Sequence, residues 1–124
     1  MWRQKGKYGN RRTKCASNHN HPSALESAVC DLCLLRQRAG EIKSYQAQAQ
    51  VYLTKAQVGY KADFKCIKPD GSPFWIESKG VPGVRWIVIQ RLWRVYGPGP
   101  LEIWAGHYTR PTLVKTIIPE GDVF

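Results

Sequence analysis

The stretch Tyr60-Lys61-Ala62-Asp63-Phe64-Lys65-Cys66-Ile67-Lys68-Pro69-Asp70-Gly71-Ser72-Pro73-Phe74-Trp75-Ile76-Glu77-Ser78-Lys79 decides how this chain folds. Both ends alternate apolar and polar residues with the period of a strand, and the middle carries turn residues. A three-residue hairpin loop takes a type I turn followed by a residue at positive φ, and Pro69, Asp70 and Gly71 suit those positions in order. In that register Lys68 faces Ser72, Phe64 faces Ile76 and Ala62 faces Ser78. These pairs make one largely apolar face, to which Cys66 also belongs. The other face sets Asp63 opposite Glu77 and Lys61 opposite Lys79, with Trp75 beside them and within reach of a substrate.

Residues facing each other across such strands have Cβ atoms about 4.5–5.5 Å apart, and like charges there are destabilising. Asp63 and Glu77 therefore need a cation or a shifted pKa. Mg2+ or Mn2+ answers that need, because hard cations take carboxylate oxygens and keep positions for water and phosphate. Lys79 follows Glu77 by two residues and projects to the same face. Two carboxylates and a lysine on adjacent strands form a phosphodiester-cleaving constellation. The purely structural alternative is a cross-strand ion pair between Asp63 and Lys79.

Outward from the hairpin, Ser23-Ala24-Leu25-Glu26 fits a capping box, with Ser23 at the N-cap and Glu26 at N3. Leu25, Val29, Leu32 and Leu35 or Arg36 follow at helical spacing, and Gly40 is the expected terminator. Tyr45 to Leu53 alternates as a half-buried strand, with Gln48 on its polar side. After Gly83 a helix is expected through about Tyr96, with Trp86, Trp93 and Tyr96 as core. Gly97-Pro98-Gly99-Pro100 breaks it, and Leu101 to Ala105 and Leu113 to Ile118 read as strands. The fold class is therefore α/β (α+β), one mixed sheet flanked by helices. Residues 1–22 lack a hydrophobic period and read as a basic arm; 23–124 read as the folded domain.

A chain of 124 residues, 43% hydrophobic and 23% charged, is a one-domain length and neither a disordered tail nor a membrane protein. The longest near-apolar run, Trp86 to Leu92, already contains Gln90 and Arg91. The first residues lack the pattern of a signal peptide, so a cytoplasmic protein is expected. Nineteen Lys+Arg against nine Asp+Glu give a net charge of +10, which favours a polyanionic partner. Arg3, Lys5, Lys7, Arg11, Arg12 and Lys14 all precede the first acidic residue, Glu26. Lys79, Arg85, Arg91 and Arg94 occupy a second acid-free stretch. Both point to nucleic acid, with Trp2 and Tyr8 available to stack on bases.

Cys15, His19, His21, Cys30 and Cys33 fall within nineteen residues. Cys30 and Cys33 are one helical turn apart, and with Cys15 and one of the histidines they make a tetrahedral Zn2+ set that would anchor the arm. The alternative is that these thiols are small buried hydrophobes. His107 reads as a surface residue.

Asp63, thirteen residues and then Glu77-Ser78-Lys79 resembles the signature of the PD-(D/E)XK nuclease superfamily. The wider similarity is to its small phage-type endonucleases, related to Holliday-junction resolvases. It runs through Lys7-Tyr8-Gly9-Asn10, Ser23-Ala24-Leu25-Glu26, the Gln48 strand, Tyr60-Lys61-Ala62-Asp63-Phe64 and Glu77-Ser78-Lys79-Gly80-Val81, within residues 7–105. Ala62 stands where the name-giving pattern has proline. The resemblance implies a restriction-endonuclease-like αβββαβ core and Mg2+-dependent cleavage of branched or duplex DNA. It makes Asp63, Glu77 and the Ser78 backbone carbonyl metal ligands, and Lys79 the group that orients or deprotonates water. Glu26 would complete the metal site or its water shell, and Gln48 would lie near the scissile strand. The basic residues of the arm, with Lys61, Arg85 and Arg91, would hold DNA. Symmetric cutting of a junction implies a homodimer. The rival function is a non-catalytic, zinc-containing nucleic-acid-binding module.

Overall fold

Strand alternation in the middle of the chain builds one five-stranded sheet in the order β3-β4-β5-β6-β7. The structure is a computed structural model that describes residues 13–16, 20, 21, 23–79 and 83–121. Its elements are β1 (Thr13–Lys14), β2 (Asn20–His21), α1 (Ala24–Arg38), β3 (Ser44–Tyr52), β4 (Gly59–Ile67), β5 (Pro73–Ser78), α2 (Val84–Tyr96), β6 (Leu101–Ala105) and β7 (Thr112–Ile117). Neighbouring strands are antiparallel except β5 and β6, which run parallel and are joined through α2. This is the expected α+β class. The expected arm residues Arg3, Lys5, Lys7, Arg11, Arg12 and His19 lie outside the described residues, as do Trp2 and Tyr8.

The hairpin folds in the expected register: Phe64 pairs with Ile76, Lys65 with Trp75, Cys66 with Phe74 and Ile67 with Pro73. Gly71 sits at φ 90 and donates its N–H to the Lys68 carbonyl at 2.9 Å, closing the turn. The ladder stops at Phe64–Ile76, so the pairings expected further along, Ala62–Ser78, Asp63–Glu77 and Lys61–Lys79, are not part of it. The cause is local: the Ser78 N–H is taken by the Asp63 side chain instead of a strand carbonyl.

The two helices cover opposite sheet faces. α1 packs Leu25, Val29, Cys30 and Cys33 against Ile42, Phe64, Cys66, Phe74 and Ile76. α2 packs Trp86, Ile89 and Trp93 against Trp75, Leu101, Ile103 and Ile117. Two aromatic expectations are corrected here. Trp75 is core, meeting Trp93 edge-on at 5.5 Å between ring centroids, and Tyr96 is 46% exposed. Of the two residues that could end the stripe on α1, Arg36 is the partly buried one and Leu35 is 58% exposed, while Glu26, Cys30 and Cys33 also face inward.

Along β3 and β4 the buried side chains change cores. Tyr45, Ala47, Phe64 and Cys66 belong to the α1 side, whereas Ala49, Val51, Tyr60 and Ala62 belong to the α2 side. The change falls at Gln48 and Asp63, the one step absent between the paired residues Ala47–Phe64 and Ala49–Ala62. Gln48 there has φ 56, a left-handed conformation that non-glycine residues seldom adopt. One alternating run thus serves both cores, and the roll of the strands brings Asp63 to the seam between them.

Part of the 1–22 arm lies among the described residues. β1 and β2 pair Thr13 with His21 and Lys14 with Asn20. Cys15 and His21 are buried, 7% and 2% exposed, against α1.

Candidate active site and a neighbouring Cys/His centre

Ser23 caps α1 as expected, its Oγ accepting the Glu26 N–H at 3.1 Å. The Glu26 side chain, however, turns into the protein and is 2% exposed. Its Oε1 accepts from Gln48 Nε2 at 3.0 Å, and its Oε2 lies 3.3 Å from His21 Nδ1. The Asp63 carboxyl touches it from the sheet. Glu26 is therefore more than a capping residue.

Asp63 Oδ2 accepts two bonds from Ser78, from the backbone N–H at 2.8 Å and from Oγ at 2.7 Å. Glu77 projects from β5 beneath α2, is 7% exposed, and accepts a hydrogen bond from the Tyr60 hydroxyl on Oε2. Lys79 follows the end of β5, with its N–H on the Trp104 carbonyl at 2.9 Å and its Nζ 5.6 Å from the Trp86 ring centroid. Its charge acts favourably on Glu77. The structure thus gathers Glu26, Gln48, Asp63, Glu77, Ser78 and Lys79 from α1, β3, β4 and β5.

The electrostatics follow from this crowding. Burial, contact with Asp63 and the charge of Glu77 push the Glu26 carboxyl up to about 9. Burial and the charge of Asp63 push Glu77 up to about 8, against the opposing pull of Tyr60 and Lys79. Burial and the two carboxylates raise the Tyr60 phenol, which stays a donor. A cluster whose carboxyls resist ionisation in this way is one that a divalent cation stabilises.

The cationic residues are less concentrated. Lys14, Lys61, Arg85 and Arg91 are exposed. Lys61 pairs with Gln50 in β3 rather than facing Lys79. Arg85 is at the site end of α2, its Nη2 donating to the Gly59 carbonyl at 3.3 Å. Arg91 lies about 9 Å further along the helix, at 1.5 Å per residue, and with Arg94 and Lys115 lines a separate groove of about 300 Å3.

Beside the acidic cluster, Cys15, His21 and Cys30 bring one ligand atom each within 4.8 Å of one another, all buried. This group could hold a metal ion. Burial and the Cys15 thiol push the Cys30 thiol up to about 12, an effect that a bound cation reverses. Cys33 is not part of the group; its free thiol is hydrogen-bonded with that of Cys66 in the α1 core, which raises it strongly. Cys30 meets Cys15 and His21, whereas Cys33, one turn further along the same face of α1, meets Cys66 of β4.

Tyr60 was not singled out by sequence, and His21 was singled out for one of its two contacts only. Tyr60 reads as an ordinary strand aromatic, and no local pattern ties it to Glu77. His21 is legible as a metal ligand but not as the neighbour of Glu26. No known family model, curated protein or solved structure matches the chain.

Proposed function

We propose that this chain is a divalent-metal-dependent DNA endonuclease acting at the Glu26/Asp63/Glu77/Lys79 cluster. One observation carries the proposal: three carboxyl groups from three elements converge beside a lysine, two of them with strongly raised pKa values. The donor set is all oxygen, which suits Mg2+ or Mn2+. Asp63, Glu77 and the Ser78 carbonyl are the groups that would hold the ion. Its contribution would be Lewis-acid stabilisation of the charge that develops on the phosphate.

The chain's own residues do the positioning. Ser78 aims the Asp63 carboxylate through two bonds to Oδ2, and Tyr60 aims Glu77 through Oε2. Lys79 orients a water whose oxygen bonds to phosphorus while the bond to the leaving sugar oxygen breaks. Its charge also offsets that of the pentavalent phosphate. Arg85 and the excess of basic residues supply contacts to flanking phosphates. Branched DNA and a homodimer are the substrate form and assembly that go with junction cutting.

The test is cleavage of labelled four-way junction, flap, single-stranded and linear duplex DNA with Mg2+, Mn2+ or EDTA, beside Lys79→Ala and Asp63→Ala. Metal-dependent cutting lost in both variants supports the nuclease. Unchanged cutting in either variant overturns the mechanism, and tight binding with no cutting under any metal favours a binding module.

A second element has its own support. The buried Cys15–His21–Cys30 group has the soft donor set of a zinc site. We infer that it holds structural Zn2+ and ties the β1–β2 hairpin to α1. Stoichiometric zinc in the purified chain, lost in Cys30→Ser, is the expected result. The same centre would serve a non-catalytic module equally, so the cleavage assay separates the two functions.

A further inference from the structure

His21 stands between the two centres. Its Nδ1 is 3.3 Å from Glu26 Oε2, with the two side chains 2% and 3% exposed. The same imidazole belongs to the Cys15–His21–Cys30 group. With Nδ1 facing Glu26, Nε2 is the ring nitrogen left to meet a metal. A histidine that binds a metal through one nitrogen generally gives its other N–H to a carboxylate, which fixes the tautomer and strengthens the ligand.

The surroundings hold both partners in this relation. Gln48 Nε2 grips Glu26 Oε1 at 3.0 Å, which turns Oε2 toward the ring. The His21 ring lies 5.9 Å from that of Phe64, and pairing with Thr13 fixes its backbone over α1. Asp31 Oδ1 accepts the Ala16 N–H at 2.6 Å, keeping the segment that carries Cys15 beside Cys30.

We propose that Glu26 is the positioning carboxylate of a zinc-binding histidine, holding His21 through Nδ1 so that Cys15, Cys30 and His21 close on one ion. This rests on the zinc centre proposed above. Glu26 then links the two centres: it supports the thiol site directly and touches the acidic cluster through Asp63. It keeps its place in the acidic cluster beside Asp63 and Glu77.

The experiment is zinc affinity of the stripped full chain by competition with a chromophoric chelator, without Mg2+ and at fixed pH. Cobalt(II) substitution reports the same site through its thiolate charge-transfer band. Wild type is expected to bind one ion and to show the band. Glu26→Gln, which keeps the shape but loses the carboxylate that a zinc-bound His21 would bond through Nδ1, should bind zinc about 10–100-fold more weakly with an altered cobalt spectrum, and Glu26→Ala at least as weakly. Asp63→Asn, which changes the acidic cluster without touching His21, should stay within about threefold of wild type. Circular dichroism checks the fold of each variant. Wild-type affinity and spectrum in a folded Glu26→Gln overturn the proposal and leave the zinc centre standing. An equal loss in Asp63→Asn also overturns it, since loss of any neighbouring carboxyl group would then suffice. A wild-type chain that binds neither ion overturns the zinc centre itself.

Discussion

Asp63 Oδ2 accepts the Ser78 backbone N–H at 2.8 Å, replacing a strand carbonyl where the β4–β5 ladder ends. The carboxylate is thus part of the sheet's hydrogen bonding and part of the acidic cluster at once. Asn at position 63 can still accept from Ser78 through its amide oxygen, while the repulsion on Glu26 and Glu77 disappears. Asp63→Asn should therefore melt at the same or a higher temperature than wild type in EDTA, and lose the stabilisation that Mg2+ gives wild type. Asp63→Ala should be less stable than Asp63→Asn by about 1–3 kcal/mol, the cost of stranding a buried donor. Thermal melts with and without Mg2+ check both statements.

The raised carboxyls set a pH dependence with a definite sign. Glu26 and Glu77 move from the ordinary 4.5 to about 9 and about 8 in the folded chain. Between those limits the folded state binds more protons than the unfolded state. Their contribution to stability is then complete below about pH 4.5 and is lost as pH rises towards 8–9. In EDTA the midpoint of unfolding should fall by several degrees between pH 6 and 9. Added Mg2+ should flatten the decline, because the ion favours the ionised carboxylates. A metal-free midpoint that rises over this range would contradict the assignment.

On the far side of α1, Arg36 makes a two-pronged contact with Glu102, Nη1 to Oε1 at 2.8 Å and Nη2 to Oε2 at 3.2 Å. Trp104 Nε1 adds a third bond to Glu102 Oε1 at 3.0 Å, and the guanidinium lies 4.9 Å from the Phe74 ring centroid. The pair is 23% and 15% exposed, so solvent screens it only in part. Arg36→Ala should cost about 1–3 kcal/mol in urea unfolding, more than a surface ion pair is worth. Cleavage, measured at a temperature where the variant is folded, should remain.

What could be read from the chain depended on whether local chemistry decided it. Pro69-Asp70-Gly71 admits one tight turn, so the hairpin register was legible as far as Phe64–Ile76, though not where the ladder stops short of Asp63 and Glu77. Glu26 was a candidate only through the family resemblance; the residues by themselves offered it as a capping-box partner, which accounts for its backbone N–H and not for its side chain. The inward stripe of α1 left Leu35 or Arg36 open at its end, and packing over Phe74 selects Arg36, which no periodicity could decide. The change of core at Gln48 and Asp63 leaves the alternation untouched, so no period announces it. Partner choice among the cysteines, and Tyr60 on Glu77, exist only once distant elements pack.

The two ends of α2 predict opposite effects for changes at glycine. At its C-terminal end, a Cβ on Gly97 would stand 2.6 Å from both the carbonyl oxygen and the ring nitrogen of Trp93. Trp93 cannot yield, because it is fully buried and its Nε1 donates to the Gly99 carbonyl at 2.8 Å. Gly97→Ala should therefore cost about 1–3 kcal/mol through overpacking, although its φ of −60 suits alanine. At the N-terminal end, Gly83 caps the helix with extended backbone and no side-chain bond, and nothing lies within 4 Å of its Cβ position. Gly83→Ser supplies a hydroxyl for the first-turn N–H groups and should add a few tenths of a kcal/mol, about 0.3. Urea unfolding of the two variants should shift in opposite directions, and a Gly97→Ala as stable as wild type would show that the Trp93 contact is not tight.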